Sequence, residues 1–416
     1  MRLQLARCLC SILVLGIAAT SARAEEKKFD GPKSGKIKIV SSLPRTGSAK
    51  GQTDTIVNGI KLALEEADYK VGGFKIEYQD LDDATAAAGQ WDAQRETANA
   101  ELARDDKEVM IYIGTYNSGA AKLSMPILNR AGVLMLSPAN TTPGLTKPNL
   151  GEKDEPARYR PSGKVNYFRV VPTDDLQGPL GARWAKDMKI RSVYILDDNE
   201  VYGKGLAKLF EDECLNPDVK IRVLGHDSID TKAQEFKALM LKIKETRPGL
   251  IYFGGTTQTK GGQLAKDMVA AGLTIPLMVP DGCYEKAFID SAGADVLNGR
   301  CFVTFGGLPP SELAVKGGKG KEFLDSYQKK FGKIPEEAYA VYGYECGKVA
   351  LEAIRKAGVI NREAIVHAAA GIKDFEGALG KWSFDENGDT TMTTMSGSII
   401  KDGQFTFVKI LEMPKK

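Results

Sequence analysis

The chain has 416 residues, 43% hydrophobic and 27% charged, which is the composition of a globular protein of two or three domains and excludes a disordered one. Its 57 Lys and Arg against 54 Asp and Glu give a formal net charge of +3, and without Arg2, Arg7 and Arg23 of the leader the balance is 54 against 54. Neutrality offers no electrostatic case for nucleic acid or an anionic membrane, and only two histidines, His226 and His367, exclude a histidine-rich metal site.

In chain order, Arg2 and Arg7 precede an apolar run from Leu9 to Ala19, followed by Ala22-Arg23-Ala24. A charged start, a short apolar stretch and an A-x-A site predict a signal peptide over 1–24 cleaved after Ala24. The run is too short for a membrane anchor, which takes roughly 20 apolar residues. Cys8 and Cys10 lie before it or at its start, so no lipid-attachment cysteine follows it.

Alternating strands and helices begin at Lys36. Ile37 and Ile39 alternate with lysines in a first strand, and Ile56, Ile60, Ala63, Leu64 and Ala67 form one helical stripe. Phe74, Ile76 and Tyr78 predict a second strand, residues 84–104 a long Ala/Glu-rich helix, and Val109–Thr115 an almost wholly apolar strand of the buried parallel kind. A helix follows Ser118, and a strand ends at Ser137. The stretch Pro143–Gly163, rich in Pro, Gly and charge, interrupts the rhythm as a surface insertion.

The same grammar resumes with strands at Tyr167–Val171, SVYILDD, KIRVLG, LIYFGG, PLMVP and CFVTF, separated by helices near 176–188, from Tyr202, and near 233–245 and 260–271. Helices near 319–330 and 336–356 return to the first series, and terminal strands turn at Asp402-Gly403. Two series of βα units predict an α/β protein of two discontinuous parallel-sheet lobes around a cleft, with the chain crossing at Val170–Asp175 and Thr304–Gly307.

Enzyme signatures are missing: there is no G-x-S-x-G, no H-E-x-x-H, and GYECGK lacks P-loop spacing. Four cysteines follow the leader, of which Cys283 and Cys301 bracket one helix–strand unit and are the favoured disulfide candidates; a Cys214–Cys346 pair and buried free thiols stay open alternatives. No C-x-x-C occurs, and no cofactor or metal is expected.

Candidate binding residues sit after strand carboxyl ends, where ligands of open α/β sheets bind. Tyr116, Asn117 and Ser118 open a helix whose free N–H groups attract an anion, although simple capping explains them equally. In the loop Ser137–Thr146, Ala139 offers main-chain groups and Thr141 a hydroxyl. Asp281 ends another strand and suits a cationic amine or a helix cap, while Tyr202 follows the acidic pair Asp197-Asp198 and suits covering an apolar ligand.

The segments GTYNSGAAKLSMPILNRAGVLMLSPANTTPGLT, VVPTDDLQGPLGARW, DDNEVYGKGLA, IYFGGTTQTKGGQLAKDMVAAGL and GKWSFDENGD, in this order, resemble the leucine/isoleucine/valine-binding protein family of ABC importer receptors across nearly the whole mature chain. The resemblance implies a type I periplasmic binding protein fold with a three-strand hinge: an N-terminal lobe of 36–172 and 306–378 and a C-terminal lobe of 173–305 and 379–416. It implies a periplasmic monomer that binds an amino acid, branched-chain or otherwise apolar or aromatic, between two closing lobes and hands it to the membrane permease of an ABC importer, without catalysis. Ser118 falls on the carboxylate-gripping serine, Ala139 and Thr141 on positions binding carboxylate and amine, Tyr202 on the closing tyrosine, and Asp281 on the acid that pairs with the ammonium.

Two positions depart from the pattern. Lys50 stands in a loop where relatives often carry an aromatic, and Thr256 replaces a tyrosine. Both remove apolar cover that Tyr116 and Tyr284 could restore. The rival ligands are an aromatic carboxylate, an amide or a urea lacking an α-amine; the rivals of another class are an exported enzyme and a sensory ectodomain.

Overall fold

The computed structural model describes residues 28–413; the predicted signal peptide lies outside the described residues. Among the described residues no helix is long and apolar enough to cross a membrane.

The first lobe runs β1 (Gly35–Leu43), α1 (Lys50–Glu65), β2 (Lys70–Val71), β3 (Phe74–Asp82), α2 (Ala93–Asp105), β4 (Val109–Gly114), α3 (Ser118–Ala131), β5 (Leu134–Ser137) and β6 (Tyr167–Arg169). Its sheet has the order β2-β3-β1-β4-β5-β6, parallel except for the β2–β3 hairpin. β4 and β5 are buried along their whole length, because helices cover both faces, and this is why their sequences are continuous apolar runs rather than alternations.

The helix predicted over 84–104 starts only at Ala93. Asp92 caps it, its Oδ1 accepting from the N–H groups of Gln94 and Arg95 at 3.0 Å each, and Ala84 bridges Trp91 in an extended loop. An N-cap aspartate settles where the helix begins more firmly than an alanine-rich composition does.

The second lobe runs α4 (Asp174–Asp187), β7 (Ser192–Asp197), α5 (Val201–Leu215), β8 (Arg222–Ser228), α6 (Lys237–Thr246), β9 (Leu250–Gly254), α7 (Gly261–Ala270), β10 (Leu277–Val279), α8 (Lys286–Ala292), α9 (Ala294–Leu297) and β11 (Cys301–Gly306). The chain then returns to the first lobe with α10 (Pro310–Lys316), α11 (Gly318–Phe331), α12 (Ala340–Ala357) and α13 (Arg362–Ala370), and a small hairpin of β12 (Phe375–Gly377) and β13 (Gly380–Trp382). β14 (Met395–Lys401) and β15 (Gln404–Leu411) close the second sheet, whose order is β15-β14-β11-β10-β9-β7-β8. α1 and α12 cross backbone to backbone at Gly59 and Gly343, where a Cβ would overlap the opposing carbonyls of Ala340 and Ile56.

The third crossing lies further on than the boundary expected at 379. Trp382 Nε1 donates to buried Glu345 of α12 at 2.7 Å, and Asp389 pairs with Arg169 of β6 at 2.6 Å, so residues 380–391 pack on the first lobe. The Gly307 N–H meets the Thr394 carbonyl at 2.8 Å, and β14 then enters the second sheet. The four cysteines are buried free thiols, so the favoured Cys283–Cys301 bridge is not formed.

Candidate functional site

The carboxyl ends of both parallel sheets point into the space between the lobes. There Tyr116, Asn117, Ala139, Tyr202, Thr256, Asp281, Gly282 and Tyr339 line a small cavity. The lobes are closed on it. Gln52 Nε2 of α1 donates to the carbonyls of Asp281 at 3.4 Å and Tyr284 at 3.2 Å, and Asn117 Nδ2 donates to Gln258 Oε1 at 3.2 Å.

Asp281 begins the short 3₁₀ turn after β10 and is buried. Its Oδ1 accepts from the Tyr202 hydroxyl at 2.6 Å and from Gln177 Nε2 at 2.7 Å, and its Oδ2 accepts from the Tyr339 hydroxyl. Burial raises its pKa above the ordinary carboxylate range, and these three donors pull it back.

Asp174 stands at the start of α4, just after the first crossing, and is 1% exposed; the Thr141 hydroxyl faces its carboxylate and the Arg169 charge lies near it, without a full hydrogen bond to either oxygen. Burial raises its pKa well above the usual range, and the neighbouring charge of Asp281 adds to the rise. The Thr141 hydroxyl, Asn117 Oδ1 and Gln177 Oε1 are also buried without partners. Acceptors therefore gather in and behind a cavity whose lining holds no lysine or arginine, with the Arg169 cation acting on Asp174 from behind it. Buried polar groups are nearly always satisfied, so this arrangement suits a donor-rich, positively charged group.

On the first lobe, the loop 138–142 carries Ala139 and Thr141. Arg169, fully buried, holds that loop: its Nη1 donates to the carbonyls of Asn140 at 3.0 Å and Thr142 at 2.8 Å, its Nη2 to the Thr146 hydroxyl, and its Nε to Asp389 at 2.6 Å. Beside the loop, α3 begins at Ser118, and the unpaired N–H groups of its first turn and its dipole favour an anion.

Of the residues predicted from sequence, Tyr116, Asn117, Ala139, Tyr202, Thr256 and Asp281 line the cavity. Ser118 and Thr141 are buried next to those lining residues, each 1% exposed. Lys50 does not line it: its Nζ pairs with Asp54 on the outer side of α1. Tyr284 stacks on Phe405 at 4.1 Å and is not a lining residue; it supplies a carbonyl to Gln52. The aromatic cover comes instead from Tyr339, whose ring stands edge-on to Tyr116 at 6.3 Å. Sequence reasoning missed Tyr339, Gln177, Asp174 and Gln52. The i,i+3 spacing of Asp174 and Gln177, on one helical face beside a crossing, was the available signal.

Two hinged parallel-sheet lobes around a small buried polar cleft define a clamp for a small solute. The family model described as periplasmic binding protein matches residues 36–404, and the chain belongs to this family. It is 29% identical over 357 residues to the Leu/Ile/Val-binding protein BraC3 of Rhizobium johnstonii, covering 85% of this chain and 88% of that one. It is 26% identical over 389 residues to the leucine-, isoleucine-, valine-, threonine- and alanine-binding protein of Pseudomonas aeruginosa, covering 93% of each. The crystal structure of a leucine binding protein from Thermotoga maritima superimposes with a TM-score of 0.78 at 25% identity, covering 90% of this chain and 98% of that chain.

Proposed function

We propose that this chain is the exported receptor of an ABC importer and clamps a free α-amino acid with an apolar or aromatic side chain. The observation that carries the reading is Asp281, a buried carboxylate in the lining of a cavity that has no basic lining residue, with the buried carboxylate of Asp174 close enough to add its charge. An α-ammonium between them supplies the missing charge and donors, and charge-assisted hydrogen bonds fix its geometry. The carboxylate then lies toward Ser118 and the first turn of α3, with Ala139 and Thr141 beside it. Tyr116, Tyr202 and Tyr339 surround the side chain. The ligand stabilises closure by its greater affinity for the closed lobes, and the closed form is what the permease engages. Binding alone accounts for this design, and the protein acts after cleavage of the leader at Ala24.

A thermal-shift panel on refolded, ligand-free protein tests the reading. An amino acid at 100 times its Kd adds about 2.7 kcal/mol of stability, while the same side chain on an amine-free acid gives no shift. Shifts confined to amine-free aromatic acids or amides overturn the ligand class and leave the transport role.

Asp174→Asn gives a two-sided signature. Removing a buried carboxylate whose charge is repelled by Asp281 stabilises the ligand-free protein, whereas loss of one ammonium contact weakens amino-acid binding by about 10–100-fold, or about 1.5–3 kcal/mol. Calorimetric titration and a melting curve on the same sample read both, and a variant that loses stability while keeping its affinity rules Asp174 out of the site.

A further inference from the structure

Beside Gln52, a second pair of carboxylates meets across the closed seam, outside the cavity lining. Glu285 belongs to the second lobe, between the turn after β10 and α8; it is fully buried, and the Thr257 hydroxyl and the Gln52 N–H face its carboxylate without a full hydrogen bond to either oxygen. Glu337 belongs to the first lobe, just before α12, and is 4% exposed. Its Oε1 accepts the Lys286 N–H from the other lobe at 3.0 Å, and its Oε2 has no partner. Both side chains converge on the first turn of α1, where a Cβ at Gly51 would stand 3.9 Å from Glu337 Oε1 and 4.0 Å from Glu285 Oε2.

Neither carboxylate forms an ion pair, and Lys286 and Lys333 act on Glu337 only at a distance. The nearby lysines are engaged elsewhere: Lys50 with Asp54, Lys286 with Asp290 and Lys333 with Glu336. The other groups facing the pair are the Thr257 hydroxyl and the Gln52 N–H beside Glu285, the Tyr116 phenol, the Cys283 thiol and the Glu336 carboxylate, none of them positive. The amino end of α1 offers only a partial positive charge. Two like charges buried this close cannot both ionise without a large penalty. We propose that the lobes close only with a proton taken up from solvent and held between Glu285 and Glu337, so that capture of the ligand is proton-coupled.

Burial, with the charge of Glu337 added, pushes Glu285 up to about 8, and burial pushes Glu337 up to about 7. Opening separates the two lobes and returns both groups to water and to ordinary values near 4.3. The closed form therefore holds the proton more tightly. Its population is greatest at low pH and falls about tenfold per pH unit between the ordinary carboxylate range and about pH 8.

The test needs no ligand and so stands apart from the amino-acid reading. Asn117 and Gln258, which touch across the cleft, are both replaced by cysteine and joined by a short bis-methanethiosulfonate; the four native thiols are buried. The rate of joining reports the closed population and is compared between the otherwise native chain and the E285Q/E337Q background. The ratio of the two rates cancels thiol ionisation and the contributions of Asp174 and Asp281. From about pH 6 to about pH 8 this ratio falls by about tenfold or more, and any fall beyond about threefold supports the proposal. A ratio constant within about threefold overturns it. E285Q alone, which keeps the Lys286–Glu337 contact, serves for the same comparison where the double variant does not fold.

Discussion

Replacing Asp281 by alanine is expected to weaken amino-acid binding by about 3–5 kcal/mol, a loss of more than a hundredfold in Kd. The size follows from what the carboxylate touches. It organises the Tyr202 and Tyr339 hydroxyls and the Gln177 amide from three separate elements, and it is the acid nearest the cavity lining. Truncation removes the counter-charge for the proposed ammonium and leaves the Tyr202 and Tyr339 hydroxyls without their acceptor, each costing about 1–3 kcal/mol where water cannot reach, while Gln177 keeps Thr304. Asp281→Asn separates the two effects, because the amide keeps an acceptor for the tyrosines and removes only the charge. Its affinity for an amino acid falls, while the stability of the ligand-free protein stays near that of the native chain or rises. Calorimetric titration of both variants decides the matter, and affinity within threefold of native in Asp281→Asn would remove the ammonium from this carboxylate.

The lobes were legible because their strands are of two recognisable kinds. β4 and β9 read as unbroken apolar runs, and β1 alternates only until it enters the sheet interior. The third crossing was not legible: a hairpin at 375–382 has the same local signature whichever lobe it packs on, and the Trp382–Glu345 bond that decides it spans 37 residues. Cavity-lining residues at strand ends were legible for a related reason, since Asn117, Ala139 and Asp281 each follow a strand whose place in the sheet is fixed locally. Tyr339 and Gln177 were not, because they reach Asp281 over 58 and 104 residues and only through closure and the crossing. Tyr284 shows the converse error. Its closeness to Asp281 in sequence suggests the cavity, but β15 places Phe405 against its ring and draws it into the second lobe's own core. Lys50 is a milder case, since an i,i+4 partner on an exposed helical face holds it away from the cleft.

The binding loop rests on one buried cation, and Arg169→Met is expected to destabilise the protein by about 3–5 kcal/mol in urea unfolding. The guanidinium is wholly buried and serves four acceptors: two loop carbonyls, the Thr146 hydroxyl and the Asp389 carboxylate. Methionine matches much of its length but takes away the ion pair of Asp389, a carboxylate at 4% side-chain exposure that keeps only the Thr146 hydroxyl and the more distant Arg160 charge. Lysine is no substitute, because three donors on a single nitrogen cannot reproduce a planar fork spread over four partners. The double variant R169M/D389N should recover part of the loss, since it removes the stranded charge as well as its partner. The recovery separates electrostatics from loop geometry. Asn140 and Thr142 remain unanchored in the double variant, so the loop bearing Ala139 and Thr141 stays mobile and ligand affinity stays low even where stability returns. If affinity recovers together with stability, Arg169 acts only as a counter-ion for Asp389 and does not position the ligand loop.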